Sequence, residues 1–347
     1  MTSGSLNVSY TKVGDVDTFR ETISVTSNST KIIIDIINMV LVGVIANTVS
    51  ALGIFGNIIN IVVFFTQGLR TTVNISFFSL AISDLCNLIT IAWFSICVNP
   101  YLNADPDLII FPPEFQHLTA GFPHACFARI TAWITVFMTI ERCLCITFPF
   151  QIKEMITPKR TVITIICIYL FVIAAMIPEY LYVYIDWKVY PNLNKTLLGI
   201  VFITDRAYLE GLSFLLYSIL MVSSFIAVVF FTGLLVFKLK QKNELLSGKK
   251  FSQSNLLSRR EKMAVVTVLV LASVFIVTFT PTLLFSILGF AIPGFSISGK
   301  YRDVFFIFGY VAFAFDASNA SVNIILYYIL NSSYRHTLHR LFFSRKV

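Results

Sequence analysis

Charged residues are scarce in this sequence. Asp, Glu, Lys and Arg make up 13% of its 347 residues, hydrophobic residues make up 56%, and the mean hydropathy is +0.81. A soluble domain carries roughly 25% charged residues. A water-soluble fold could not bury so much apolar surface, so we expect lipid to surround most of the chain.

Patterns that carry catalysis or bind metals are also lacking. There is no HExxH and no GxSxG, and the four histidines lie in two distant pairs, 117 with 124 and 336 with 339. We therefore expect no enzyme activity, no catalytic residue and no metal-spaced histidine set. Paired broken spans in two repeated halves, which are typical of transporters, are not visible either, and a transporter or channel is kept only as an alternative.

Long apolar runs dominate what is present. A helix needs about 20 mostly apolar residues to cross the hydrocarbon core, and these runs are too long and too irregular for strands. The sequence predicts an all-α bundle of seven membrane-spanning helices within 35–330, after a tail at 1–34 and before a short amphipathic helix and tail at 331–347. The seven predicted spans are 35–65, 73–98, 117–148, 161–184, 211–237, 263–291 and 304–330.

Basic residues are unevenly distributed between the predicted loops. Of the 26 Lys and Arg residues, 17 fall on the side that holds the segment 238–262 and eight fall on the other side. By the positive-inside rule, this places the N-terminus outside and the C-terminus in the cytosol. The net charge of +8 then reflects topology and contact with membrane lipid, and no nucleic-acid partner is expected.

The predicted outer segments carry three glycosylation sequons, at Asn7, Asn28 and Asn194, which agree with this orientation. Residues 1–30 are polar and lack the apolar core of a signal peptide, so the first span is expected to act as the targeting signal. We expect a multi-pass glycoprotein of the plasma membrane.

Polar residues inside the spans are the natural candidates for function, because ionisable groups are costly at membrane depth. Asn57, Asp84, Asn319 and Asn323 could form one hydrogen-bonded cluster that holds water or a cation. The alternative is that they join helices to one another, as polar residues commonly do in membrane bundles.

A second set lies toward the predicted cytosolic ends. Glu141 and Arg142 are adjacent near the end of span three, and Glu261 lies at the start of span six. Arg142 could pair with either acid, or could only extend its charge toward the interface. Pro281 should kink span six, because proline removes a backbone hydrogen bond.

These residues match motifs in a fixed order along the spans. The matching residues are Gly56-Asn57, the LAISD that ends at Asp84, Glu141-Arg142-Cys143, then Phe275, Thr278, Phe279 and Pro281, and finally Asn323 to Tyr327 followed by Tyr334. On these motifs the chain resembles the rhodopsin-like (class A) G-protein-coupled receptors over all seven spans. The resemblance is to a divergent member. Cys143 stands where the family has Tyr after Arg142, and Ile324 stands where the family has Pro after Asn323.

The resemblance implies a receptor that binds an extracellular small molecule or peptide and activates a heterotrimeric G protein by outward motion of span six. It also implies an interior polar or sodium site at Asn57, Asp84, Asn319 and Asn323, with sodium at Asp84 as the one ion expected. The residues implied to act in switching and coupling are Glu141, Arg142, Glu261, Phe275, Phe279, Pro281, Asn323 and Tyr327.

The sequence departs from the family in its cysteines. The family usually joins span three to the second outer loop by a disulfide, but the matching position is His117, and the loop at 185–210 contains no Cys. A bridge between Cys97 and Cys126 is conceivable. The lysine that binds retinal in opsins would fall at Ala317, which argues against light sensing.

The ligand is expected in the outer half of the bundle, at His124, Arg129 and Asp316. The Asp that binds ammonium in amine receptors would fall at His124, which argues against that class. Arg129 and Asp316 either pair with each other or bracket a polar ligand. The stretch 121–161 is most similar to molluscan chemosensory receptors, so a chemosensory role is expected, with a neuropeptide receptor as the alternative.

Overall fold

A computed structural model describes residues 36–343, except for 38, 100–101, 103–104, 106, 149–150, 205, 248–258 and 296–298. Seven helices in the described part are long and apolar enough to cross a membrane, which confirms the predicted bundle. The predicted tail at 1–34, with Asn7 and Asn28, lies outside the described residues. The helices are α1 Asn47–Gln67, α2 Thr72–Cys97, α3 Phe122–Thr147, α4 Pro158–Tyr182, α5 Ala207–Ser247, α6 Arg259–Ala291, α7 Arg302–Leu330 and α8 Ser332–Phe342.

Several helices begin or end where polar side chains replace backbone partners. The side chains of Thr71, Thr157 and Asn331 accept hydrogen bonds from backbone N–H groups in the first turns of α2, α4 and α8. The helical path of span three begins at Pro112, earlier than predicted, through a helix Pro112–Gln116 and a π-helical segment His117–Gly121. Proline suits a first helical turn because the missing N–H has no partner there.

Two boundaries differ from the prediction for physical reasons. Span five was predicted to end at 237, but α5 continues to Ser247, because the polar residues after 237 are compatible with a helix although they end the apolar run. Before α1, the segment Met39–Ala46 is π-helical. Hydropathy predicts the membrane-spanning part of a helix and not where the helix ends.

A β-hairpin follows α4 and was not predicted. Strand β1, Val183–Tyr190, pairs antiparallel with β2, Lys195–Phe202, and Val183 lies opposite Phe202. The turn ends at Asn194, which is exposed and has a φ of 50°, a left-handed conformation that Asn tolerates. Leu198 also bridges to Ile110, which precedes span three.

The packing places α3 in the middle of the bundle, against α2, α4, α5 and α6. We call the end that holds the hairpin the hairpin end, and the opposite end the α8 end. At the α8 end, Tyr334 is fully buried, and its hydroxyl donates to Asn60 Oδ1 at 2.6 Å. Leu341 and Phe342 remain exposed on the amphipathic helix α8, as its spacing predicts.

Candidate functional site

A cavity of about 960 Å³ opens at the hairpin end among α3, α5, α6 and α7. Its walls are mostly aromatic and aliphatic, as in pockets for small molecules. The polar and ionisable residues that line it are His124, Tyr217, Ser218, Thr282, Ser286 and Asp316.

A chain of polar contacts crosses one wall of the cavity. Asn87 Oδ1 lies 2.6 Å from Nδ1 of His124, and Nε2 of the same ring lies 3.4 Å from Asp316 Oδ2. The Thr282 hydroxyl donates to the other oxygen of Asp316 at 3.0 Å. His124 thus lies between Asn87 of α2 and Asp316 of α7 and contacts both side chains.

Arg129 lies one and a half helical turns deeper than His124 and is 1% exposed. Its guanidinium carbon sits 4.4 Å from the centre of the Phe279 ring and 5.5 Å from that of Tyr217. Its Nε and Nη1 atoms are buried without a hydrogen-bond partner. Of the two alternatives for Arg129 and Asp316, direct pairing is not what the structure shows, because Asp316 contacts His124 and Thr282. Arg129 does not line the cavity.

Two aromatic residues of α6 stack on each other next to Arg129. Phe279, which contacts Arg129, stacks on Phe275 with ring centres 5.1 Å apart and planes 11° apart. Pro281 lies inside α6, which continues as a helix to Ala291. Arg129 thus connects Tyr217, which lines the cavity, to the stacked rings of α6.

Asp84 is fully buried at the centre of the bundle. Its oxygens accept from Thr131 Oγ1 at 2.9 Å and from Asn323 Nδ2 at 2.7 Å, and the Ser83 hydroxyl lies 2.8 Å from that of Thr131. The structure thus brings Asp84 and Asn323 together, as predicted.

The two other asparagines of the predicted cluster have different partners. Asn57 donates to the Gly53 and Ala320 carbonyls and accepts from Asn60. Asn319 Oδ1 accepts from the Thr278 hydroxyl at 3.1 Å, which links α7 to α6. Asn57 therefore joins helices, the alternative that the sequence left open, and the hydrogen bonds described here for Asn57 and Asn319 go to groups other than Asp84.

An ion pair lies near the α8 end of α3. Arg142 Nη2 is 2.5 Å from Glu141 Oε1, and both side chains are at least 95% buried. Of the partners open to Arg142, the structure thus shows its neighbour Glu141. Glu261 lies in the first turn of α6, at the same end of the bundle.

Tyr327 of α7 is buried next to α8. It is 1% exposed, its ring packs against Phe64, Phe77 and Tyr334, and its hydroxyl has no hydrogen-bond partner. A buried hydroxyl without a partner is costly, which favours alternative arrangements that satisfy it.

A carboxylate holds the hairpin to the start of span three. Glu114 accepts from Lys188 Nζ at 3.0 Å, from the Tyr190 hydroxyl at 2.8 Å and from the Ile200 backbone N–H at 2.9 Å. Burial, together with Glu114, raises the pKa of Tyr190, so its hydroxyl stays protonated and donates. We call these contacts the Glu114 clamp.

Comparison with known proteins adds the family. Residues 56–327 match the family described as 7 transmembrane receptor (rhodopsin family). The match begins at Gly56 and ends at Tyr327, the first and last residues of the motifs found within the spans. The chain belongs to the rhodopsin family of seven-transmembrane receptors.

One relative of this receptor is the galanin-like G-protein coupled receptor npr-9 of Caenorhabditis elegans, which is 31% identical over 143 residues. The match covers 40% of this chain and 31% of that receptor's length. This likeness agrees with the family and covers less than half of either chain.

The receptor differs from the disulfide pattern that the resemblance implies. All six cysteines are free, including Cys97 and Cys126, so the conceivable bridge between them is absent. The Glu114 clamp joins the hairpin to span three, the two parts that the family usually joins by a disulfide.

Four residues that contact the site or the hairpin were not predicted from the sequence. Asn87 lies three positions after Asp84 on the same helix face, and Thr282 directly follows Pro281, so both could have been found by spacing. Thr131 and Glu114 offered no such signal, because single Thr and Glu residues are common on helices and near helix starts.

Proposed function

We propose that the receptor binds an extracellular ligand in the cavity and activates a heterotrimeric G protein at the α8 end, from the plasma membrane. The distribution of basic residues supports this orientation, with the hairpin outside and α8 in the cytosol. Asn194, exposed in the hairpin turn, is then a glycosylation site. Leu341 and Phe342 of α8 contact lipid at the inner surface.

The observation that carries the proposal is that one helix joins the cavity to the ion pair. His124 lines the cavity near the start of α3, and Arg142 lies near its end. Arg142 lies 18 positions after His124, which corresponds to about 27 Å at 1.5 Å per residue. A ligand and an intracellular partner can therefore bias the same element.

The motion assigned to α6 follows from its contacts. Thr282 contacts Asp316 in the cavity, and Phe279 and Phe275 continue the packing toward the cytosol. A ligand that binds one arrangement of these residues more tightly shifts the bundle toward it. In the active arrangement the cytosolic end of α6, with Glu261, moves outward, and Arg142 contacts the G protein. Tyr327 and Asn323 of α7 change their contacts when α6 moves.

The ligand is proposed to be a small molecule that acts as a chemical signal. The mostly apolar walls, with a few polar groups such as His124 and Asp316, support a small ligand. A peptide ligand is the second candidate, because the matched relative is named as a galanin-like receptor.

A sodium ion is proposed at Asp84. The carboxylate of Asp84 and the hydroxyls of Ser83 and Thr131 supply oxygen ligands, which hard cations prefer. Asn57 and Asn319 bind other groups and do not complete the set. A bound ion would supply the positive charge that the buried carboxylate otherwise lacks.

The test is nucleotide exchange on purified heterotrimeric G proteins by the purified receptor in nanodiscs. We expect wild type to accelerate exchange and Arg142→Ala to abolish the acceleration. Arg160→Ala is the matched control, because Arg160 is an exposed arginine at the same end whose guanidinium donates to the backbone carbonyls of Glu154 and Met155. Equal exchange by wild type and Arg142→Ala would exclude the proposed role.

A further inference from the structure

One wall of the cavity faces away from the bundle. Phe214 and Leu215 of α5 and Ile287 and Phe290 of α6 line the cavity, yet Leu215 is 55% exposed, Ile287 49% and Phe290 82%. A side chain that both lines a cavity and is exposed marks an opening. The cavity therefore opens sideways between α5 and α6, along a line that we call the α5–α6 seam.

Two glycines leave room along the seam. A Cβ added at Gly211 would meet nothing within 4 Å, and one added at Gly289 would first meet the Phe295 carbonyl oxygen at 4.0 Å. Both glycines line the cavity. The seam thus lacks side chains at two positions where larger residues could close it.

The seam lies at membrane depth. Gly211, Val222 and Gly289 fall within the spans Tyr208–Lys242 and Glu261–Ala291. The 11 residues from Gly211 to Val222, which also lines the cavity, extend about 16 Å along α5. That is about half of a hydrocarbon core of roughly 30 Å. In the orientation proposed above, the seam then faces the outer leaflet.

The chemistry of the cavity is divided. The seam is lined by Leu215, Ile287 and Phe290, whereas the pair of His124 and Asp316 lies on the α3–α7 side. Asp316 is 6% exposed and is the one carboxylate among the lining residues of this cavity. A ligand ammonium that enters the cavity can pair with the Asp316 carboxylate, and an apolar chain can then extend along the seam.

We propose that the α5–α6 seam admits a single-chain amphiphile from the outer leaflet into the cavity, where its ammonium head binds Asp316 and its chain lies against Leu215, Ile287 and Phe290. The inference rests on the proposed function for its orientation and names the class of ligand for the same cavity. Binding is driven by burial of the chain, and the charged head fixes its direction.

The experiment uses the full chain in phosphatidylcholine nanodiscs and octadecylamine with a diazirine next to its head. After irradiation, we expect label on Ala312, which lies inside the cavity on α7 and is 4% exposed, so lipid outside the bundle cannot reach it. Asp316→Asn should lower this labelling roughly tenfold, as expected for loss of a charge-assisted hydrogen bond. Octadecanoic acid with the same diazirine should leave Ala312 unlabelled.

Closing the seam tests the route. Gly211→Trp with Gly289→Trp should lower labelling of Ala312 at least about tenfold, and Gly211→Trp alone serves if the pair folds poorly. Gly233→Trp is the matched control, because Gly233 is exposed on α5 with nothing within 4 Å and does not line the cavity. Undiminished labelling in the closed-seam variants, or equal labelling by the acid, would overturn the inference.

The outcomes separate this inference from the proposed function. A receptor that accelerates nucleotide exchange but is never labelled at Ala312 contradicts the amphiphile and leaves coupling intact. A receptor that is labelled as expected but accelerates no exchange contradicts coupling and supports the amphiphile.

Discussion

At the scale of single residues, the buried pair of Glu141 and Arg142 carries the largest consequence. Both side chains are removed from solvent in a 2.5 Å ion pair at the α8 end. Loss of one partner leaves the other charge buried and unpaired, which is strongly destabilising for that arrangement. The state in which Arg142 can leave the interior should then gain population.

We therefore expect Glu141→Gln to raise ligand-free G-protein activation. The release of Arg142 should raise basal nucleotide exchange roughly fivefold or more, within the usual range of coupling energies. Exchange is measured on purified heterotrimer at equal receptor concentration. Glu154→Gln is the control, since Glu154 is exposed at the same end, and basal exchange no higher than in that control would contradict a restraining role for the pair.

A second prediction concerns Asp84. If sodium binds at its carboxylate, Asp84→Asn should remove any effect of sodium on ligand affinity, because the amide lacks the charge that a cation needs. The measurement compares ligand affinity in sodium and in potassium chloride at equal ionic strength. A sodium effect that persists in the variant would place the ion elsewhere.

The sequence predicted single residues well where a motif fixed their spacing. Asp84 meets Asn323, as the motifs suggest, whereas the sequence left the partner of Arg142 open between Glu141 and Glu261. Partners set by helix rotation were not predictable: the rotation of α3 places Arg129 over Phe279 and turns His124 toward Asp316. Spacing along one helix does not give its rotation relative to another.

At the scale of secondary-structure elements, the hairpin depends on one carboxylate and one glycine. Glu114 accepts from β1 side chains and from the Ile200 N–H. A Cβ at Gly199 would lie 1.9 Å from the Tyr190 hydroxyl and 2.8 Å from Glu114 Oε2, so both side-chain ends would have to shift. The hairpin escaped prediction because a short strand next to an apolar span carries no distinct hydrophobic period.

We expect Glu114→Gln to loosen the hairpin. The amide of Gln lacks the charge that attracts Lys188, and its NH2 group cannot accept a hydrogen bond. Amide hydrogen exchange at Ile200 should therefore speed up about tenfold, the effect of roughly 1.4 kcal/mol. Hydrogen-exchange mass spectrometry measures this. Asp186→Asn, an exposed change in the same hairpin, should have no such effect, and neither should a reducing agent, because all six cysteines are free.

The docking of α8 gives a fourth prediction. Tyr334 is fully buried and donates to Asn60, so Tyr334→Phe leaves a buried acceptor with one partner fewer. We expect a loss of about 1–3 kcal/mol in stability and a thermal midpoint lower by a few degrees. Tyr328→Phe, whose hydroxyl contact is exposed, should leave the midpoint unchanged. Equal midpoints in the two variants would show that the Asn60 contact does not stabilise α8.

At the scale of the whole molecule, composition alone indicated a membrane bundle, and seven apolar helices confirm it. The lateral opening between α5 and α6 could not be predicted, because it depends on which faces of two helices remain unpacked. In the proposed mechanism, coupling between the cavity and the α8 end depends on α3 as a fixed axis and α6 as the element that moves.

The most direct measurement is the distance between spin labels at Arg70→Cys and Lys262→Cys, which are exposed positions at the α8 end before α2 and at the start of α6. The exposed Cys167 is replaced by Ser to avoid background labelling. Double electron–electron resonance should show a longer distance when heterotrimeric G protein is bound without nucleotide than when it is absent. An unchanged distance distribution in a receptor that accelerates nucleotide exchange would contradict the outward motion of α6.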